Sequence, residues 1–334
     1  GLPVFVGPVT ESQAVAATAA ALADAGRVVA LARGSQRQSS LAAAADTLAF
    51  ASYANVSERV EVLDRIDSRR WQDVDLLATG VQVGPISRSL IELLPSRAVV
   101  SLMAEPWELR PGVVDFDGCD DAGIKVAAPN LGHPSISLLP EFARLCCILL
   151  GEAGVDQRGA KLALVCDTPC APFIDKALRE RGARVSVFAH PTLMTGDAWD
   201  VIVVAMRPSD KPAMDINSLG RISANSRQAR LVQFSGEIDR SAASYFGLKV
   251  WPPKRPARGE LGLPLDVLGA APAIRKLTGG LKAAEAAYHG AELGPDCIGF
   301  VVKAGSGRLD RGRAGTLAGA HLFREKGPLG TPNL

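Results

Sequence analysis

Aromatic residues make up only 5% of this 334-residue chain, and 37 Lys and Arg against 35 Asp and Glu leave a formal charge of just +2. A nucleic-acid binder advertises itself by a basic footprint and by stacking platforms, and both are missing, so no nucleic-acid partner is expected. Long apolar runs are missing as well: stretches such as Leu145 to Leu150 fall far short of the ~20 residues a bilayer demands. The amino terminus shows no charged segment leading into an apolar core. The expectation is therefore no membrane partner and a cytoplasmic location. Six cysteines in a chain of this length do not make a disulfide framework, and neither paired CxxC motifs nor the spacing of His190, His289 and His321 offers a zinc ligand set. No metal is expected.

What is present is the composition of an ordinary globular protein, 47% hydrophobic and 22% charged, long enough for two compact domains. Apolar strand-like runs alternate with helical ones, the pattern of parallel α/β sheets. Strands are expected at Val4 to Gly7, Arg27 to Leu31, Asp75 to Ala78, Ala98 to Leu102 and Ile124 to Ala127. An Ala-rich helix over Thr10 to Asp24, stopped by Gly26, and a second over Ser87 to Leu94, stopped by Pro95, lie between them. A long helix from Ser135 to Glu152, with Pro134 in its first turn, leads out of this unit. Strands at Lys161, Arg184 to Phe188, Val201 to Met206, Arg230 to Phe234 and Gly247 to Trp251 build a second unit, with a helix over Pro172 to Arg181 closed by Gly182. A returning helix over Leu281 to His289 and a strand over Cys297 to Lys303 follow. The Gly- and Arg-rich tail, Ala304 to Leu334, has weak periodicity.

The fold class predicted is α/β, two doubly wound parallel-sheet domains of Rossmann or flavodoxin type with a cleft between them. The expected division is 1–134 for a substrate-type domain, 135–158 for the linking helix, 159–285 for a Rossmann-like domain and 286–334 for the return segment and tail.

The turn Cys166-Asp167-Thr168-Pro169-Cys170-Ala171 opens the second unit, and it contains no glycine. Glycines at such a turn let the backbone approach a pyrophosphate, and the helix amides beyond it hold the anion. Here a Cβ stands at each position, and Pro169 and Pro172 remove two amide donors. Cys166 and Cys170 bracket the start of a helix, where a thiol can be acidified and reactive; the plainer reading is that both simply pack. Cys146 and Cys147 lie in an apolar helical stretch and read as small hydrophobes.

The order of segments over about residues 70 to 290 resembles the D-isomer-specific 2-hydroxyacid dehydrogenases. The resemblance rests on Trp71 to Gly80, on Leu93-Leu94-Pro95, on Val99 to Met103, on Val113 to Val126 with an aspartate opening a helix, and on Pro140-Glu141. It implies a substrate cleft between the domains, carboxylate binding after Met103, a homodimer built on the second domain, and catalysis by Arg, Glu and His. Those residues do not follow. The stretch matching the family's Arg element reads Phe234-Ser235-Gly236-Glu237 without an arginine, and the stretch matching its His element reads Leu277-Thr278-Gly279-Gly280. The cofactor glycines fall on Cys166, Thr168 and Ala171, and the ribose-binding acid on Ala189, next to His190. Thr168, Cys170, Ala171 and His190 are thus the positions where NAD(P) would be held, if it is held at all; the cofactor is left unknown.

Candidate ligand groups come from the loops at strand ends, where α/β proteins bind. After Met103 the loop offers Glu105, Trp107 and Arg110, an aromatic surface with charges for a larger or cationic ligand. Asn130 lies before the linking helix, as does His133, a candidate general acid or base. Arg207 follows the Val201 strand as a candidate catalytic or anion-binding group, and Arg255 sits in the cationic stretch after Trp251. The expected partner is a small molecule. Three readings stay open: altered or lost redox function with a carboxylate metabolite bound in the cleft, an NAD(P)-dependent oxidoreductase with relocated residues, and a non-redox enzyme or silent partner subunit.

Overall fold

The computed structural model describes residues 1–9, 14–34, 38–65, 68–79, 85–195, 198–294 and 296–302. Twelve strands among them form two sheets. The first contains β1 (Pro3–Val9), β2 (Arg27–Ala32), β3 (Val60–Leu63), β4 (Leu76–Thr79), β5 (Val99–Leu102) and β6 (Lys125–Pro129), all parallel. Their order is β3-β2-β1-β4-β5-β6, the doubly wound arrangement. The second sheet is wholly parallel: β7 (Lys161–Val165), β8 (Arg184–Phe188), β9 (Val201–Ala205), β10 (Arg230–Ser235) and β11 (Lys249–Trp251), in the order β8-β7-β9-β10-β11. A late strand, β12 (Gly299–Val302), returns to the first sheet and pairs antiparallel with β6. Strands buried on both faces need continuous apolar sequence, and Val-Ile-Val-Val-Ala of β9 is buried at every position.

The helices are α1 (Ala14–Leu22), α2 (Ser40–Tyr53), α3 (Arg88–Ile91), α4 (Phe116–Asp121), α5 (Leu139–Glu152), α6 (Ala171–Glu180), α7 (Ile216–Asn225), α8 (Arg240–Tyr245) and α9 (Ala270–Tyr288). Asp115 opens α4 by accepting from the Gly118 amide at 2.8 Å, as the resemblance implies. Asp215 and Asp239 do the same for α7 and α8.

Several expectations need correction. The linking helix starts at Leu139, not Ser135, because residues before it form turns in which Ser137 takes a left-handed φ of 47°. Pro140, not Pro134, occupies its first turn. The returning helix is more than twice the expected length, since it begins at Ala270. Its residues Leu277, Leu281, Ala283, Ala284 and Ala287 join the core of the first sheet, so the chain has crossed back before Leu281. Helices α2, α7 and α8 and strand β3 were not anticipated. Residues 10–13 of the first predicted helix, Lys303 and the tail 304–334 lie outside the described residues.

The Thr278-Gly279-Gly280 stretch has a packing role. A Cβ on Gly280 would lie 2.6 Å from the Leu102 carbonyl oxygen, and one on Gly279 2.3 Å from Ile136 Cδ1. Glycine lets α9 settle directly on the end of β5, where Ser101 Oγ donates to the Gly280 carbonyl at 2.9 Å.

Candidate functional site

The chain leaving β5 buries a carboxylate at once. Glu105 is 5% exposed; its Oε1 accepts from the Leu131 amide and its Oε2 from Trp107 Nε1, both at 2.6 Å. The Glu105 amide donates to Glu108 Oε2 at 2.8 Å, and Glu108 is ion-paired with Lys276 of α9. Lys276 Nζ lies 5.8 Å from the Phe142 ring of α5, and Trp107 meets that ring edge-on at 6.3 Å. Loop, linker and helices α5 and α9 therefore converge on Glu105. Desolvation pushes its pKa up to about 7, with Glu108 adding repulsion, against the opposing pull of the two donors and Lys276. Trp107 is spent on Phe142 and Glu105 instead of standing free to stack a ligand, and both Glu105 oxygens already hold a donor.

From Glu105 a bonded chain runs through Leu131 to its neighbours. Asn130 Oδ1 accepts from the Gly132 amide at 3.1 Å and its Nδ2 donates to the Cys297 carbonyl at 3.2 Å. The His133 amide donates to the Asn130 carbonyl at 3.0 Å, and its Nδ1 accepts from the Ser135 amide at 3.2 Å. Arg110 reaches the second unit: its stem lies 3.5 Å from where a Cβ on Gly259 would stand, and its buried Nε has no hydrogen-bond partner.

At the carboxyl end of β7 the turn into α6 is closed on itself. Thr168 Oγ1 accepts from the Cys170 amide at 3.3 Å, and the Thr168 carbonyl from the Ala171 amide at 3.2 Å. Position 172 is proline, and the Phe173 amide already donates to the Cys170 carbonyl. The amides at the head of α6 are thus used or absent. Arg207, leaving β9, seals the same turn, donating from Nε at 3.1 Å and Nη2 at 2.9 Å to the Asp167 carbonyl while its amide donates to Asp167 Oδ1 at 2.9 Å. His190 opens a short turn by accepting from the Thr192 amide at 3.2 Å. Both thiols are buried, and burial pushes Cys166 up to about 11 and Cys170 well above its ordinary value, which favours the plainer reading that both pack. Glu105 and Glu108 are close enough to add repulsion at Cys170, so this turn and the β5 loop approach each other.

A third group lies beyond β10. Arg255 pairs with the buried Glu237 at 2.5 Å and stays 47% exposed. Arg240, which sequence reasoning missed, donates to Gln233 Oε1 at 2.6 Å and to the Pro252 carbonyl at 2.8 Å. The cue was Asp239 opening a helix, which turns the next side chain back along β10. Among the described residues no hydrogen bond or ion pair links Arg207 to Trp107 or to His133; the candidate residues belong to three local hydrogen-bond networks. A shallow depression of about 430 Å³, lined by Asp156, Arg158, Asp200 and Arg230, lies at the opposite, amino end of the second sheet.

No protein-family model matches the chain, and no curated protein matches it. Solved structures do. A protein of Thermus thermophilus is 17% identical over 87% of this chain and 98% of its own, with a TM-score of 0.55. The dipicolinate synthase A chain from Bacillus subtilis is 12% identical over 87% and 98%, TM-score 0.54. The NAD+-bound 3-phosphoglycerate dehydrogenase of Entamoeba histolytica is 12% identical over 87% and 97%, TM-score 0.51. At these identities the likeness establishes the fold, two Rossmann-like units in a dehydrogenase-like arrangement.

Proposed function

We propose that this chain is a dehydrogenase-fold protein whose redox function is altered or lost, and that it binds a small carboxylate-containing metabolite between its two units. The observation that carries the first half is the head of α6. A dinucleotide pyrophosphate needs free amides and open backbone there, whereas Thr168 takes two amides, a proline removes a third, and Arg207 covers the Asp167 carbonyl. The residues present do not fit NAD(P).

The second half is supported by guanidiniums with unspent donors. Arg110 has no hydrogen bond or ion pair among the described residues, and Arg255 gives only its Nη2 to Glu237. Arg110, in the loop after β5, lies against Gly259, and Arg255 belongs to the loop after β11; a carboxylate between the two would satisfy donors that protein groups leave unused. On this reading Asn130 and His133, on the linker bonded to Glu105, would contribute from the first unit, and Arg207 serves by holding the turn shut. Glu105 favours a second reading, non-redox acid–base chemistry on the same scaffold, because a carboxyl with a pKa of about 7 can both give and take a proton near neutrality.

The test is calorimetric titration of the full chain with NADH, NADPH and pyruvate. Heats that saturate with pyruvate and weaken at least tenfold in Arg110→Gln, with no saturation by either dinucleotide below 1 mM (about −4 kcal/mol), are expected. Micromolar NADH or NADPH binding would overturn the altered-redox reading. An unchanged pyruvate isotherm in Arg110→Gln would remove the carboxylate anchor.

A further inference from the structure

The depression of about 430 Å³ at the amino end of the second sheet takes no part in the three networks. Its charged lining is balanced, Arg158 and Arg230 against Asp156 and Asp200. Each carboxylate turns one oxygen onto the backbone: Asp156 Oδ1 accepts from the Arg158 amide at 3.0 Å and Asp200 Oδ2 from the Lys161 amide at 2.8 Å. Among the described residues the other two oxygens have no partner, and neither guanidinium has a hydrogen bond or an ion pair. We infer that this depression binds a free amino acid, its carboxylate against Arg158 and Arg230 and its ammonium against Asp156 and Asp200.

Structural duties do not account for the two arginines. Arg230 Nη1 lies 3.4 Å from where a Cβ on Gly154 would stand, beside the carboxyl end of α5, a place where a cation often satisfies the last carbonyls. Those carbonyls are already taken. Gln157 Nε2 donates to that of Cys147, and the amides of Ala153, Val155 and Gly154 donate to those of Leu149, Leu150 and Gly151. The Gly159 carbonyl, next to Arg158, is held by Arg184 from Nε at 3.1 Å and Nη2 at 3.0 Å. Both guanidiniums therefore keep their donors for a ligand. The backbone leaves room as well: Gly154 and Gly159 take left-handed φ of 68° and 75°, and a Cβ on Gly159 would meet nothing within 4 Å.

The balance of charge selects the ligand. A simple anion would gain two guanidiniums but face two carboxylates, and a simple cation the reverse, whereas a zwitterion pairs with both. Val155 and Val201 add an apolar wall for a small aliphatic side chain, and the volume falls within the range of small-molecule sites, which starts near 300 Å³. Arg230 and Ser235 mark opposite ends of β10, about 17 Å apart by strand rise, so this site stands apart from Glu237 and its partner Arg255.

Amide chemical-shift titration of the full chain with L-valine to 20 mM should give saturable shifts at Gly154, Val155 and Gly159. Isovalerate, which lacks the ammonium, and isobutylamine, which lacks the carboxylate, should each bind about tenfold more weakly, the worth of one charge-assisted hydrogen bond. Arg230→Gln and Asp156→Asn should each weaken valine by a similar factor; asparagine keeps the oxygen that the Arg158 amide uses, and the α5 carbonyls stay bonded without Arg230. The pyruvate isotherm of Arg230→Gln should match that of the wild type, since Arg110 anchors that ligand elsewhere. Absence of saturation at 20 mM valine overturns the inference. So does isovalerate binding as tightly as valine, or a valine affinity that falls in Arg110→Gln and not in Arg230→Gln.

Discussion

Replacing Glu105 by Gln isolates the buried carboxyl on which the loop, the linker and helices α5 and α9 converge. Glu105 carries its proton to about pH 7 in the folded chain against an ordinary value near 4.5, chiefly because burial disfavours the charged form. The groups facing it are Glu108 and Trp107 from its own loop, the Leu131 amide from the linker and Lys276 from α9. A raised carboxyl pKa means the folded chain holds more protons, so the stability it contributes is fully present below about pH 4.5 and is lost as pH rises through 7. A displacement of this size corresponds to about 3 kcal/mol between the two limits, or about 4 °C in Tm for a chain of this length. Glutamine does not titrate. Thermal melts of wild type and Glu105→Gln from pH 4.5 to 8 should therefore give a difference that moves by about 4 °C in favour of the variant as pH rises, most of it between pH 5 and 7. The other titrating groups are common to both proteins and cancel. A difference that stays flat across that range would refute the reasoning, and would mean the two donors and Lys276 hold the carboxylate ionised throughout.

Gly280→Ala should destabilise the chain by about 1–3 kcal/mol, since its Cβ would fall 2.6 Å from the Leu102 carbonyl oxygen; urea midpoints check this, and a cost no larger than that of Gly151→Ala, which meets nothing within 4 Å, would show that α9 shifts freely. Iodoacetamide at pH 8 should modify the partly exposed Cys297 well before Cys166 and Cys170, whose thiols burial holds protonated; mass spectrometry reads the order, and early labelling at Cys170 would restore the acidified-thiol reading.

Most strands were legible because parallel strands buried on both faces leave an unbroken apolar signature, as in Val201 to Ala205. Helix α2 was not: with apolar residues on every side, Leu41 to Tyr53 carries no amphipathic rhythm to read. Helix α8, opened by Asp239, is too short for periodicity to detect, whereas α7, opened by Asp215, is as long as α6 and its buried Leu219 and Ile222 were a signal that went unread. The candidate site was legible residue by residue but not as a whole. Glu105, Trp107, Asn130 and His133 do lie along one bonded path. Sequence could not foresee that Trp107 turns in toward Phe142, because the edge contact is made between residues 35 apart in the chain and depends on where α5 begins.

The two sheets also separate strand order from chemistry. The first carries the full β3-β2-β1-β4-β5-β6 arrangement, while the second, which by segment order stands where a cofactor unit would, has five strands and a switch point between β7 and β9. Strand order leaves both edges open to a ligand. At the second edge the outcome depends on three residues: Thr168, which folds the turn onto its own amides; Pro172, which has none to give; and Arg207, whose guanidinium donates to the Asp167 carbonyl. Each is a side-chain choice that leaves β7, α6 and β9 intact. On the proposed reading the second unit keeps its elements and forgoes an anion cradle, because such a cradle consists of unsatisfied backbone donors and is lost once local side chains satisfy them.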